Sequence, residues 1–290
     1  MVLFTQSFAT GLMIGGIYAI LALGFVVIYK SCKIFNFAQG ELLLVGAYVS
    51  WACVVQLHLP IWAGILIMLL FAVALGFGIE RFPLRPMIGQ PPLAIIMVTL
   101  GLAILLRSLI IAVWGGVRHP YPEIFPLQPV TIGAITLSQQ HIWSFMSCIA
   151  FLIMFAIFFR FTNIGLLLRA VAEDHILAKS TGVNVRRFIG LSWAISATVA
   201  SAGGIFLGSI NGVSPALADF GLKAIAAALV GGLESALGAV LGGLLIGVVE
   251  ILSTTYIGQG VGEVAAFFVL VLALFIRPYG LFGLVKIERV

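Results

Sequence analysis

Residues 8–29 read FATGLMIGGIYAILALGFVVIY, a stretch of 22 residues without a charged side chain. A helix of about 20 apolar residues crosses a hydrocarbon core of roughly 30 Å. This stretch therefore predicts a transmembrane helix. Similar apolar runs recur along the whole chain, separated by short connectors. Their repetition indicates a protein that crosses the membrane many times.

The composition of the chain supports the same fold class. Hydrophobic residues make up 62% of the 290 residues and charged residues 9%, whereas soluble domains carry about 25% charged residues. Only helices and closed barrels satisfy their backbone groups in lipid, and these runs lack the alternation of barrel strands. The sequence predicts an all-α, polytopic transmembrane helix bundle that forms one domain over residues 1–290.

Nine segments have the character of a span, within an expected range of about eight to ten. The segment from Ile34 contains polar residues and the one from Gly221 is short, so either can be broken or re-entrant. The nine run from Phe8 to Tyr29, Ile34 to Leu57, Ile61 to Glu80, Pro91 to Trp114, His141 to Phe159, Phe188 to Ile210, Gly221 to Gly232, Ala236 to Tyr256 and Gly262 to Ile276.

The basic residues of the connectors predict the orientation. With nine spans, Arg118 and Lys223 fall on one side of the membrane and Arg107 lies within a span. The other 12 of the 15 basic residues share the opposite side, which is expected to be cytoplasmic. The N-terminus is then on the outer side of the membrane and the C-terminus in the cytoplasm, and no nucleic-acid partner is expected. These 12 are Lys30, Lys33, Arg81, Arg85, Arg160, Arg169, Lys179, Arg186, Arg187, Arg277, Lys286 and Arg289.

Motifs for catalysis and metal binding are missing from the sequence. It contains no Gly-x-x-x-x-Gly-Lys phosphate loop, no His-x-x-x-His pair and no Gly-x-Ser-x-Gly elbow. Three cysteines, Cys32, Cys53 and Cys148, match no metal spacing and are an odd number. We therefore expect no catalytic residue, no metal and no cofactor. Any energy that the protein uses comes from an ion gradient or from another subunit.

Glycines stand four residues apart on several of the apolar segments. This spacing lets helix backbones approach closely in lipid, where no hydrophobic effect drives helices together. We expect these faces to pack the helices into a compact bundle. The pairs are Gly11 and Gly15, Gly204 and Gly208, Gly238 and Gly242, and Gly243 and Gly247.

A polar stretch follows the first span, where Asn36, Gln39 and Glu41 lie within six residues of each other. A carboxylate in the middle of a bilayer costs about 2.5 to 3.5 kcal/mol on insertion scales, so such groups often have a function. These three residues can satisfy a broken helix, line a translocation path, or do both. Glu80 and Glu263 lie near the ends of spans, where simple solvation explains them.

The connector from Arg160 to Arg187 is the most informative polar region. Residues from Leu166 to Thr181 favour a helix, and Gly182 suits the left-handed position that follows a helix. A short helix between two spans, too polar to insert and too apolar to lie free in water, is typical of a docking element. A solvated connector is the alternative.

Four blocks of residues, in order along the chain, carry a family resemblance. They are Gly16 to Gly24 with Phe35-Asn-Phe-Ala-Gln-Gly-Glu41 and Gly46-Ala-Tyr48; Arg169-Ala-Val-Ala-Glu-Asp174 with Ala178 and Gly182-Val-Asn184; Ala228-Leu-Val-Gly-Gly232 with Gly238 to Gly243; and Arg277-Pro-Tyr-Gly-Leu-Phe-Gly283. From about Gly11 to Gly283 the chain resembles the membrane subunits of ABC importers of the branched-chain amino acid class. It is most similar to the shorter of their two permease types.

The resemblance implies a permease and a set of partners. A solute-binding protein outside captures the solute, a second homologous permease subunit completes the path, and two ATP-binding cassette ATPases inside drive transport. The bundle is then a single permease domain in the lipid bilayer, and ATP is bound only by the partners. The connector becomes a coupling loop that contacts an ATPase, with the motif residues Arg169, Ala170, Glu173, Asp174, Ala178, Gly182, Val183 and Asn184. Asn36, Gln39 and Glu41 remain candidates for the translocation path.

One block departs from the family pattern and several alternatives stay open. Glu234 and Leu237 stand where the family commonly has a glycine and a proline, so Glu234 inherits no role. The substrate can be a branched-chain amino acid, which we favour, another amino acid, or an amide or urea. A secondary transporter driven by protons or sodium is the competing class, and a membrane-bound enzyme is a more distant third.

Overall fold

The computed structural model describes residues 1–87, 89–126, 128–133 and 135–283. Lys286 and Arg289, two of the 12 basic residues that were assigned to the cytoplasmic side, lie outside the described residues. Within this part of the chain, seven helices are long and apolar enough to cross a membrane. They are α1 (Val2–Cys32), α3 (Ile61–Ile79), α4 (Pro92–Trp114), α5 (Gln139–Phe161), α8 (Val185–Asn211), α10 (Ala236–Tyr256) and α11 (Gln259–Ile276).

Shorter elements complete the described fold. Four of them are the helices α2 (Gln39–Trp51), α6 (Asn163–Glu173), α7 (His175–Ser180) and α9 (Phe220–Gly231). π-helical turns extend α2 over Ala52–Gln56 and α3 over Glu80–Leu84, and a 3-10 turn over Pro215–Asp219 precedes α9. The strands β1 (Pro129–Ile132) and β2 (Ile135–Ser138) form an antiparallel hairpin in which Val130 faces Leu137.

Two of the nine predicted segments are half-length helices. α2 contains 13 residues and α9 contains 12. As α-helices they are about 20 and 18 Å long at 1.5 Å per residue, and even with its π-helical turn over Ala52–Gln56 α2 falls short of a core of about 30 Å. The expectation that these two segments are broken is confirmed. Within the described residues seven of the nine predicted segments are full-length helices, and α2 and α9 account for the other two.

The helices α1 and α8 form the centre of the bundle. In their most apolar stretch 83% of the α1 residues and 72% of the α8 residues are buried, against 17 to 22% in α3, α4, α5 and α11. α1 packs against α5, α8, α9 and α10, and α8 packs against α2 and α3. The peripheral helices leave one side free for lipid or for other subunits.

Glycine contacts join α1 to α10, as the four-residue spacing predicts. A Cβ atom on Gly15 would lie 2.8 Å from the Cα of Leu244, and one on Gly247 would lie 2.4 Å from the Cα of Gly15. Both distances are too short for two carbon atoms. Only glycine allows these two backbones to approach so closely, so this contact sets the position of α10 on the central helix.

The basic segments gather at one end of the bundle. Lys33, which follows α1, pairs with Glu234 between α9 and α10. The chain after α11 returns to the same place, where the Leu281 amide donates to the Val230 carbonyl. Glu80 also lies at this end. It was expected to be solvated but is 2% exposed, because Arg85 binds both of its carboxylate oxygens.

The opposite end of the bundle is closed by the connector between α4 and α5. His119 and Val213 exchange backbone hydrogen bonds of 2.8 Å, and the indole of Trp51 donates to the Pro120 carbonyl. The Tyr121 hydroxyl lies 2.8 Å from the Ser50 hydroxyl. Burial raises the pKa of Tyr121 to about 12, so this phenol stays protonated at neutral pH.

The glycine contact between α1 and α10 predicts a clear difference between two Gly→Val substitutions. Gly247→Val places side-chain atoms against the Gly15 backbone, and we expect it to destabilise the bundle by at least about 1–3 kcal/mol, the usual cost of overpacking. Gly101→Val on α4 is the matched control, because a Cβ atom there meets nothing within 4 Å. Thermal unfolding of the purified variants in detergent measures the difference. Equal stability of the two variants would contradict this packing.

Candidate functional site

The half-helices α2 and α9 meet at their N-terminal ends inside the bundle. A Cβ atom on Gly40 would lie 2.1 Å from the Ala218 carbonyl oxygen, and one on Gly221 would lie 2.4 Å from the Gly40 Cα. From this contact α2 runs towards Trp51 and Pro120, whereas α9 runs towards Glu234 at the basic end. Together the two half-helices cross the bundle as one interrupted span.

Asn36 and Gln39 support the beginning of α2. The Asn36 side chain accepts a hydrogen bond from the Ala38 amide and donates one to Gln39 Oε1, both of 3.0 Å. The Ser196 hydroxyl of α8 lies 3.0 Å from the same oxygen and 2.9 Å from the Gly24 carbonyl of α1. Asn36 and Gln39 are both almost fully buried. Their side chains satisfy a broken helix, which is one of the two roles expected from the sequence.

Glu41 points away from that network and takes part in an ion cluster. The Arg107 guanidinium of α4 lies 3.2 Å from Glu41 Oε1 and 3.0 Å from Asp219 Oδ1. Asp219 is the last residue before α9, so both carboxylates stand at the start of a half-helix, where the helix dipole favours negative charge. We name Glu41, Arg107 and Asp219 the charge cluster.

The charge cluster reaches the surface of the bundle at membrane depth. Arg107 lies seven residues before the end of α4 at Trp114, which is about 10 Å along the helix. Its side chain is 36% exposed and that of Asp219 is 58% exposed. Exposed charges at this depth are expensive against lipid, so this face of the bundle meets water or another protein. The Nε atom of Arg107 is buried and has no hydrogen-bond partner in the described residues.

A second ion pair holds α9 against its neighbours. Lys223 of α9 pairs with Glu250 of α10, and the Tyr18 hydroxyl of α1 donates to the other oxygen of Glu250 at 2.6 Å. The sequence counted Lys223, at the start of the predicted segment from Gly221, on the far side of the membrane. That placement is wrong, because the Lys223 side chain lies inside the bundle and is 14% exposed.

Sequence reasoning missed most partners in these two ion-paired groups. Arg107 was recognised as a charge within a span, but its two carboxylate partners lie 66 and 112 residues away along the chain. Asp219 resembled an ordinary residue of a loop, and Tyr18 an ordinary residue of an apolar helix. The presence of Arg107 in an apolar run was the one signal that could have prompted a search for acidic partners.

The predicted coupling loop contains two helices instead of one. Asp174 is extended, with φ −152°, and separates α6 from α7. Its Oδ1 accepts the Leu177 amide at 3.0 Å and so caps α7. An aspartate side chain competes in this way with the helical hydrogen bonds of its own backbone. The predicted continuous helix from Leu166 to Thr181 is therefore wrong.

The coupling-loop residues divide into an exposed group and a supporting group. Arg169, Ala170, Glu173 and Asp174 are exposed, and within the described residues Arg169 and Glu173 form no ion pair with each other. Ala178 is buried, and Val183 is half-buried. Gly182 has φ +84°, as expected after a helix, and the Asn184 side chain caps α8 by accepting the Arg187 amide.

Known proteins resemble this chain over nearly its whole length. It is 33% identical to the high-affinity branched-chain amino acid transport system permease protein LivH of Salmonella typhimurium, over 99% of this chain and 98% of that protein. It is 30% identical to the corresponding permease protein BraD of Pseudomonas aeruginosa, again over 99% and 98%. A probable branched-chain amino acid transport permease protein LivH of Methanocaldococcus jannaschii is 28% identical over 91% and 88%.

A solved structure shares the fold. PsaBC from Streptococcus pneumoniae, in complex with Fab, matches 96% of this chain and 93% of its own chain with a TM-score of 0.51 and 16% identity. The family described as branched-chain amino acid transport system / permease component matches residues 7–277. The protein therefore is a multi-pass membrane protein that belongs to this family of transport permeases.

Proposed function

We propose that this protein is the membrane subunit of an ATP-driven, binding-protein-dependent importer of branched-chain amino acids. It lies in the inner membrane with its basic end in the cytoplasm, so the N-terminus is outside and the C-terminus inside. It binds no cofactor and hydrolyses no ATP. The names of the relatives LivH and BraD support this substrate and this role.

The charge cluster is the observation that carries the proposal. It exposes Arg107 and Asp219 at membrane depth, on a face where lipid is an unfavourable neighbour. A second homologous permease subunit covers this face, and the translocation path runs between the two subunits. Glu41 contributes to the path by its ion pair with Arg107, whereas Asn36 and Gln39 support the beginning of α2.

The charges of the cluster fit a zwitterion. A solute carboxylate can replace Glu41 or Asp219 at the Arg107 guanidinium, and the solute ammonium can then pair with the released carboxylate. One set of ion pairs exchanges for another, so binding is weak enough for the solute to leave again, as a path requires. A neutral amide or urea cannot make this exchange. This argument favours amino acids within the family.

The coupling loop connects the bundle to an ATPase in this proposal. The exposed residues Ala170, Glu173 and Asp174 face the cytoplasm, while Leu168 and Val171 of the same helix are buried against the bundle. A rigid helix fixed in this way can pass a movement of one of the two ATPases to α1 and α8. The solute-binding protein docks at the opposite end, where the connector between α4 and α5 lies.

Glu41→Gln tests the path. The substitution removes one charge from the charge cluster but keeps the shape of the side chain, so the bundle and the complex assemble normally. A hydrogen bond to a charged group contributes about 1.5–3 kcal/mol, and we expect uptake to fall by at least about tenfold, which corresponds to 1.4 kcal/mol. Radiolabelled leucine uptake by proteoliposomes with the complete complex measures the effect.

The control for this experiment is Glu263→Gln in α11, where the same chemical change affects an exposed residue on a helix that carries no member of the charge cluster. Uptake by this variant should equal that of the unmodified protein. If Glu41→Gln assembles with its partners and transports leucine at the normal rate, Glu41 supports the structure only and the proposed path is wrong.

Glu173→Lys tests the coupling loop. Because Glu173 is exposed, the bundle should fold normally. The charge that this residue presents to the ATPase, however, changes from negative to positive. Reversal of a charge at the rim of an interface alters association and its salt dependence. We expect weaker co-purification of the ATPases, or ATP hydrolysis that no longer produces uptake. Subunit stoichiometry, ATPase activity and uptake are measured on one preparation, with Glu263→Lys as control.

Two results would contradict the proposed importer. If Glu173→Lys matches the unmodified complex in all three measurements, α6 and α7 form a solvated connector. If the isolated protein accumulates leucine in ATP-free liposomes under an ion gradient, it is a secondary transporter.

A further inference from the structure

An apolar groove of about 440 Å³ opens between α5 and α10, with α1 as its floor. Leu23 and Val27 of α1, Leu152 of α5 and Val240 of α10 are among its lining residues. Two residues on the outer rim, Ile153 and Leu237, are 54% and 77% exposed. The groove is therefore open to the apolar surroundings of the bundle.

Two basic side chains lie at one end of the groove. Lys30 of α1 and Arg169 of α6 both line it, and both lie at the basic end of the bundle. Within the described residues neither side chain forms an ion pair or a hydrogen bond. A lysine and an arginine that have no ion-pair partner in the described part of the chain thus lie at the mouth of an apolar groove, with positive charge at one end and hydrocarbon along the rest.

The groove extends over about two thirds of one leaflet of the membrane. Leu23 and Lys30 are seven residues apart on α1, which is about 10 Å of helix. Half of the hydrocarbon core measures about 15 Å. With Lys30 and Arg169 at the level of the headgroups, an acyl chain can lie along the groove in the leaflet at the basic end.

The groove is separate from the proposed translocation path. Arg107 of the charge cluster is on α4, which packs on α2, whereas the groove is bounded by α5, α6 and α10. A second permease subunit that covers the charge cluster therefore leaves this side of the bundle to the lipid.

We infer that this groove binds an anionic phospholipid of the cytoplasmic leaflet. The phosphate lies between Lys30 and Arg169, and one acyl chain fills the groove along α1. Basic residues between transmembrane helices on the cytoplasmic side select anionic headgroups in this way. A zwitterionic lipid such as phosphatidylcholine gains less from the two cations because its headgroup carries no net charge.

The bound lipid has a consequence for coupling, which rests on the proposed function. Leu168, Arg169 and Ala172 of α6 all line the groove, while Glu173 remains exposed beside them. The lipid thus fastens the helix that contacts the ATPase to α1 and α10. Arg169, which the sequence assigned to the ATPase contact together with Glu173, instead holds the headgroup.

Lipid retention tests the inference. The protein is reconstituted in nanodiscs of equal parts phosphatidylglycerol and phosphatidylcholine, extracted in mild detergent, and its retained lipids are counted by native mass spectrometry. We expect phosphatidylglycerol to be retained by the unmodified protein. In the double variant Lys30→Gln, Arg169→Gln, the amount of retained phosphatidylglycerol should fall about fivefold for each cation removed. Arg81→Gln, an exposed cation at the same end but outside the groove, should retain it fully.

The apolar part of the site has its own matched pair. Leu237→Trp fills the groove and should also release the lipid, whereas Leu241→Trp lies one turn further along α10, outside the lining, and should not. Equal retention in the double variant and in Arg81→Gln would overturn the inference, as would equal retention of the two lipids by the unmodified protein. Disulfide-linked dimers of an Ile153→Cys variant in native membranes would show a second copy in the groove and would also overturn it. None of these results depends on uptake or ATPase activity.

Discussion

The contact between the N-terminal ends of α2 and α9 is the constraint on which the rest of the structure depends. Gly40 and Gly221 bring the two half-helices so close that no side chain fits between them. The two positive helix ends would repel each other, and the carboxylates of Glu41 and Asp219 offset this. Arg107 then joins the two carboxylates. An interrupted span of this kind is tolerated in a membrane only inside a protein or beside water.

The surrounding helices keep this contact in place. The glycines of α1 and α10 allow the two backbones to touch, and Tyr18 and Lys223 tie α1 and α9 to Glu250 of α10. The bundle therefore has a close-packed centre that positions a small number of charges. The same centre extends to α6, whose buried residues attach the exposed residues of the predicted coupling loop to α1.

The fold was predictable to the extent that it depends on local composition. Apolar length identified the seven full helices, the polar residues Asn36 and Gln39 indicated a break before α2, and the short segment at Gly221 indicated α9. The ion pairs were not predictable, because Arg107 and Asp219 meet through tertiary packing across 112 residues. The break in the helix at Asp174 was not predicted, because the capping role of its side chain competes with the helix propensity of the residues around it.

Thiol accessibility beside the charge cluster tests the central claim most directly. Leu222 is 50% exposed and lies one turn after Asp219 on α9, so Leu222→Cys can be introduced in a background without Cys32, Cys53 and Cys148. The account predicts that a membrane-impermeant, water-soluble thiol reagent labels this cysteine in the assembled complex, and that trapping the ATPases with nucleotide changes the rate. A cysteine at Phe268, on the exposed side of α11, should resist the reagent. If Leu222→Cys is as unreactive as Phe268→Cys, the charge cluster does not border a water-filled path.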